Sequence, residues 1–177
     1  MGYTKRGKSG ARRTKYLIGL VIILVVFIWW RADISITEWQ AGEVLKPVTL
    51  VRVVDGDTIV VNRDGEDIKV RFIGVDAAES VHSDEGLNTE EGVAASEYLK
   101  SIISAGDRLY IQLDVEEYDV YDRTLAYVWI SNDVDINSKK DVEKYMLNAI
   151  MVSSGHAVAK RYPPNTKYAK MFEDFEN

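Results

Sequence analysis

Three short stretches hold the side chains that could do chemistry: Asp55-Gly56-Asp57-Thr58, then Arg71-Phe72-Ile73-Gly74-Val75-Asp76-Ala77-Ala78-Glu79, then Tyr121-Asp122-Arg123-Thr124-Leu125-Ala126-Tyr127. Singly, each has an ordinary explanation, since Asp-Gly is a common turn and an arginine on a strand commonly pairs with a neighbouring acid. Together they offer oxygen ligands for a hard cation, two guanidiniums whose planar forks grip phosphate, and one further carboxylate for proton transfer. That inventory suits metal-assisted hydrolysis of a phosphodiester. Other chemistries are poorly served. The chain has no cysteine, hence no disulfide and no thiolate metal site. His82 and His156 stand far apart with no second His or Cys at ligand spacing, and read as a loop and a helix-end residue. Asp133-Val134-Asp135-Ile136-Asn137 mimics the start of an EF-hand loop, but Ser138 stands where that loop needs Gly and Lys144 where it needs Glu, so it reads as a polar turn.

Those side chains need rigid supports, and the hydrophobic pattern supplies them. Residues 48–54 and 58–61 are β-branched and apolar, parted only by the Asp-Gly-Asp bend, which suits two strands. Asp64-Gly65 marks a hairpin turn. In residues 68–73, Ile68, Val70 and Phe72 alternate with Lys69, Arg71 and Ile73, so Arg71 falls on the face opposite Phe72. Residues 90–104 place Ala95, Leu99, Ile102 and Ile103 at helical spacing, with Asn88 and Thr89 as cap candidates. Strands are predicted over 108–113 and 125–130, a helix over 142–154 closed by Gly155, and a short helix over 166–175. Five short strands interleaved with helices describe an α+β domain compatible with an OB-type barrel, although periodicity alone does not separate it from other α+β arrangements.

In the order and spacing of all three stretches, the chain resembles the thermonuclease family typified by staphylococcal nuclease. The likeness covers roughly residues 48–175. It takes in the Asp-Gly-Asp-Thr bend, the Arg followed five residues later by Asp and then by Glu, the Tyr-x-Arg-x-Leu-Ala-Tyr strand, the stretch from Asn148 to Gly155 in the second helix, and Tyr162-Pro163-Pro164-Asn165. The resemblance implies a five-stranded OB-fold barrel with about three helices, and a Ca²⁺-dependent endonuclease that cuts DNA and RNA to leave 3′-phosphate ends. It implies Asp57 and Asp76 as Ca²⁺ ligands, joined by the backbone carbonyl of Ala77. It implies Arg71 and Arg123 as the groups that hold the non-bridging phosphate oxygens and stabilise the charge of the pentavalent transition state. Glu79 would orient or deprotonate the attacking water, and Tyr121 and Tyr162 would stack on or hydrogen-bond the nucleotide. The family usually has Thr-Pro where this chain has Ala77-Ala78, a change that a carbonyl ligand survives. The rival expectation is a catalytically weak or inactive barrel at the cell surface that binds nucleic acid or a protein, against which the full set Asp57, Arg71, Asp76, Glu79 and Arg123 weighs.

With 177 residues the chain holds one ordinary domain and a short attachment. Seven of the 22 basic side chains and none of the 28 acidic ones lie in residues 1–31, leaving fifteen basic against 28 acidic beyond, a net of −13. A field of that sign repels polyanions and counts against an unaided nucleic-acid binder. The basic segment (1–16) precedes an apolar run (17–30), the layout of a signal anchor or a cleaved secretory signal. Fourteen helical residues reach about 21 Å against about 30 Å of hydrocarbon. Yet Trp30 and Trp39 occupy the places two before Ala32 and Ala41 where a cleavage site needs a small residue, so the anchor is the preferred reading. Either way the positive-inside rule puts the remainder outside a bacterial cytoplasm, with residues 31–46 as linker and 47–177 as the nuclease-like domain. The expected partners are therefore the membrane, through residues 17–30, and DNA or RNA as substrate.

Overall fold

Five runs rich in β-branched and aromatic residues form the strands of a closed barrel: β1 (Lys46–Asp55), β2 (Thr58–Arg63), β3 (Glu66–Phe72), β5 (Arg108–Gln112) and β6 (Thr124–Trp129). They run in the order β1-β2-β3-β6-β5, closing on β1, and every pairing is antiparallel except β3 with β6. Asp64 and Gly65 both take positive φ between β2 and β3, as a two-residue hairpin turn requires. The computed structural model describes residues 44–78 and 89–176. The chain divides into two units, Met1–Gln40 and Ala41–Asn177, and all described elements lie in the second. The basic segment, the anchor and most of the linker expected above fall outside the described residues, as do Glu79, His82 and Asn88. Among the described residues no helix is long and apolar enough to cross a membrane.

The period-two pattern of β3 is realised as predicted: Val70 and Phe72 are buried in the barrel, while Arg71 sits on the other face. Phe72, Ile59, Leu99, Leu109 and Trp129 are among the fully buried side chains, each such large apolar group stabilising the fold by roughly 1.5–3 kcal/mol. Helix α1 (Glu90–Ile102) starts at Thr89, whose Oγ1 accepts the Gly92 N–H at 3.0 Å, and buries Ala95 and Leu99 against the core.

The predicted helix over 142–154 is two helices, α2 (Lys139–Tyr145) and α3 (Leu147–Ser153), broken at Met146. Met146 takes extended angles, bridges Trp129 on β6, and leaves the Tyr145 carbonyl free to accept the Ile130 N–H at 2.9 Å. Its side chain is fully buried. The break satisfies the end of a barrel strand at the cost of one helical turn, and no Gly or Pro announces it. The last helix, α4 (Ala169–Phe175), is shorter at its start than predicted. The described residues thus hold four helices rather than about three.

A pair of two-residue strands, β4 (Val75–Asp76) and β7 (Val158–Ala159), forms a second small sheet. Nothing so short has a readable period.

Candidate active site

β1 ends in a register shift between Val53 and Asp55, the kind of irregularity that re-aims a side chain beside a site. The chain then bends through Gly56. A Cβ there would lie 2.7 Å from the Cβ atoms of both Ala77 and Ala95, so only glycine lets the bend pack against them. Asp57 follows, 6% exposed, its N–H donating to Asp55 Oδ1 at 3.1 Å. Asp57 Oδ2 accepts the Ala77 N–H at 2.9 Å and Oδ1 accepts the Thr58 hydroxyl at 3.1 Å.

Arg71 lies opposite Thr58 on β2 and Leu125 on β6, so strands on both sides hold its backbone. Its Nη1 forms an ion pair with Asp57, and its Nη2 donates to Asp76 Oδ1 at 3.0 Å. Asp76 reaches this position because Gly74 turns the chain out of β3 with φ +79, where a Cβ would meet the Phe172 ring at 2.7 Å. Buried Asn148 on α3 secures the same turn: its Nδ2 donates to the Ile73 and Ala126 carbonyls at 2.8 and 3.3 Å, and its Oδ1 accepts the Val128 N–H at 2.9 Å. Asp57, Arg71, Asp76 and the Ala77 backbone are thereby brought together.

Arg123 is held differently. Asp119 Oδ1 accepts the N–H groups of Tyr121 and Arg123 at 2.9 and 3.0 Å, and its Oδ2 accepts Arg123 Nε at 2.7 Å, with Asp122 at φ +61 closing the turn. Burial pushes the Asp119 carboxyl up, but the three donors outweigh it and leave its pKa below the ordinary value. The Arg123 guanidinium sits 5.5 Å from the Tyr121 ring centre. A pocket of about 540 Å³ joins the two arginines, lined by Arg71, Arg123, Tyr118, Tyr121, Tyr162 and Asn165 among others. Buried Asn165 fixes one wall by exchanging 2.8 and 2.9 Å hydrogen bonds with the Glu116 backbone.

Of the residues predicted for the site, Arg71, Arg123, Tyr121 and Tyr162 share this pocket, and Asp57, Asp76 and Ala77 stand at Arg71; Glu79 lies outside the described residues. Three charged neighbours were not singled out in the sequence. Asp55 was visible as the first carboxylate of the bend; burial raises its pKa above the ordinary value, a push that Thr58 hydrogen bonds and the charges of Arg71 and Arg123 only partly offset. Asp119 lies four residues before Arg123, a spacing that could have found it. Lys160, whose Nζ donates to Asp76 Oδ2 at 2.7 Å, carried no sequence signal.

The donor set fits a hard cation. Asp57, Asp76 and the Ala77 carbonyl offer oxygen alone, the chemistry that Ca²⁺ prefers, and leave room for water and substrate in a shell of about six to eight ligands. Among the described residues no group of three or more His, Asp or Glu side chains forms a ready-made metal cage. The EF-hand mimic is a polar turn, with Asp135 Oδ1 accepting the Asn137 N–H at 2.9 Å. His156 stacks flat on Tyr98, centroids 4.0 Å apart.

Comparison with known proteins shows the family of the chain. A family model described as "Staphylococcal nuclease homologue" matches residues 69–177. The thermonuclease of Staphylococcus intermedius is 32% identical over 157 residues, covering 89% of this chain and 85% of the relative. That of Staphylococcus hyicus is 36% identical over 124 residues, covering 70% and 65%, and the endonuclease YncB of Bacillus subtilis is 33% identical over 144 residues, covering 77% and 62%. The chain therefore belongs to the staphylococcal nuclease family.

Proposed function

We propose that this family member is a Ca²⁺-dependent endonuclease that hydrolyses phosphodiester bonds of DNA and RNA and leaves 3′-phosphate ends. The observation that carries the reading is the placement of Arg71, ion-paired to both Asp57 and Asp76 at the edge of a pocket that Arg123 also lines. A phosphate entering that pocket meets a guanidinium from two separate elements. Asp57, Asp76 and the Ala77 carbonyl would hold Ca²⁺, which when bound supplies positive charge against the phosphate oxygens.

The chain's own groups do the rest. Arg71 and Arg123 bind the non-bridging oxygens and stabilise the charge that builds there as water attacks, work suited to a preorganised, partly buried fork. Glu79 orients that water or takes its proton. Tyr121, 77% exposed, and Tyr162 offer ring faces on which a base can stack at the pocket rim. Because the domain is acidic, phosphate recognition rests on these few groups rather than on a basic surface. Residues 1–30 would place the enzyme outside a bacterial cell, anchored through residues 17–30 or released after cleavage; fractionation into membrane and medium distinguishes the two.

The test is digestion of DNA and of RNA by the full-length protein, with Ca²⁺ and with a chelator, followed by end-group analysis. Cleavage that needs Ca²⁺, leaves 3′-phosphates and falls on Arg71→Ala is the expected result. Binding of nucleic acid without cleavage in Ca²⁺ would instead establish the binding-module reading.

A further inference from the structure

Lys160 stands apart from the other charges at the candidate site because the fold does not need its side chain. Its backbone N–H donates to the Gly74 carbonyl at 2.9 Å, which extends the β4–β7 pairing whatever the side chain is. The side chain is half exposed, lies 5.4 Å over the Tyr162 ring, and reaches Asp76 Oδ2 at 2.7 Å. Arg71 takes the other oxygen of the same carboxylate. Both oxygens of Asp76 are therefore engaged by protein cations, and a metal at Asp76 would have to share those oxygens with two positive charges.

The two cations are not equivalent. Arg71 is rooted in a central strand, only 12% exposed, and spans Asp57 as well. Lys160 forms its ion pair with Asp76 and not with Asp57, and its strongly hydrated ammonium rides on a flexible stem that lets water receive it. Resting on the Ca²⁺ reading above, we propose that Lys160 is a tethered cation that competes with Ca²⁺ for Asp76 and sets the concentration at which the metal site fills. In a chain whose residues 32–177 carry a net charge of −13, which attracts divalent cations generally, such a competitor raises the threshold for loading without altering the ligands.

The experiment is calorimetric titration of the full-length, nucleic-acid-free protein with Ca²⁺ alone, comparing wild type with Lys160→Met, Lys160→Gln and Lys160→Arg, each checked for folding by circular dichroism. An exposed ion pair of this kind predicts Ca²⁺ binding about two- to fivefold tighter in the two neutral variants. Lys160→Arg keeps the charge and is expected to stay near wild type. Unchanged or weaker binding in either neutral variant overturns the proposal while leaving Ca²⁺ dependence intact. Absence of Ca²⁺ binding in wild type and all variants overturns both, whereas binding that emerges only in the neutral variants supports the competition in its strongest form.

Discussion

The two arginines of the candidate site reach one pocket by opposite routes. Arg71 is set in the wall of the barrel between β2 and β6, and its partners Asp57 and Asp76 come from other elements, so tertiary packing decides where it points. Arg123 stands at the end of a five-residue turn, and its partner Asp119 is four residues away in the chain. The first arrangement buries charge and makes each member depend on the others; the second is local and partly solvated. A site assembled this way couples one of its two guanidiniums to global stability and leaves the other nearly independent of it.

The sharpest way to break that comparison is to remove each arginine in turn. Arg71→Ala should lower the cleavage rate by about 10²–10³-fold, the usual loss for one group that stabilises transition-state charge. It should also cost about 3–5 kcal/mol in urea denaturation without Ca²⁺, because nearly buried Asp57 loses its counter-charge. Adding Ca²⁺ should restore part of that stability. Arg123→Ala should lose activity to a similar degree but under about 1 kcal/mol of stability, since Asp119 keeps two backbone donors. Equal destabilisation in the two variants would erase the distinction drawn here.

Next in size is Asn148→Ala, which strands the Val128 N–H and the Ile73 carbonyl in a fully buried place. A loss of about 2–4 kcal/mol is expected by the same denaturation measurement. Because that asparagine holds the turn leading to Asp76, Ca²⁺ affinity should fall with it.

A modest effect on stability belongs to the carboxylate of the local half. Asp119→Asn should cost about 1–2 kcal/mol at neutral pH, given that three donors meet its carboxylate. The sign of the pH dependence follows from its lowered pKa: the carboxylate stabilises the fold above the unfolded value near 3.8, and this is lost as pH falls through the folded value. The gap between wild type and variant should be full at pH 7 and close below about pH 4 in a denaturation series.

Much of this was readable beforehand, for reasons that differ by element. The alternation in β3 placed Arg71 away from Phe72 because side-chain direction in a strand depends on nothing beyond the strand itself. Thr89 could be named as a cap because capping is settled within three residues. The helix break at Met146 was hidden because it answers the unpaired end of β6, an element seventeen residues earlier in the chain.

The order of residues alone therefore settled what the groups are and which local frames carry them: an Asp-Gly-Asp bend, an arginine on the outer face of a strand, a turn that ends in a second arginine, and a net charge that counts against recognition by a basic surface. Packing decided which groups meet. Asp57 and Asp76 share Arg71 because Gly56 and Gly74 admit neighbours that a Cβ would exclude. Lys160 meets Asp76 across 84 residues because two strands of two residues each happen to pair. Contacts of that span are fixed by shape and close approach in three dimensions, and no periodicity in one dimension records them.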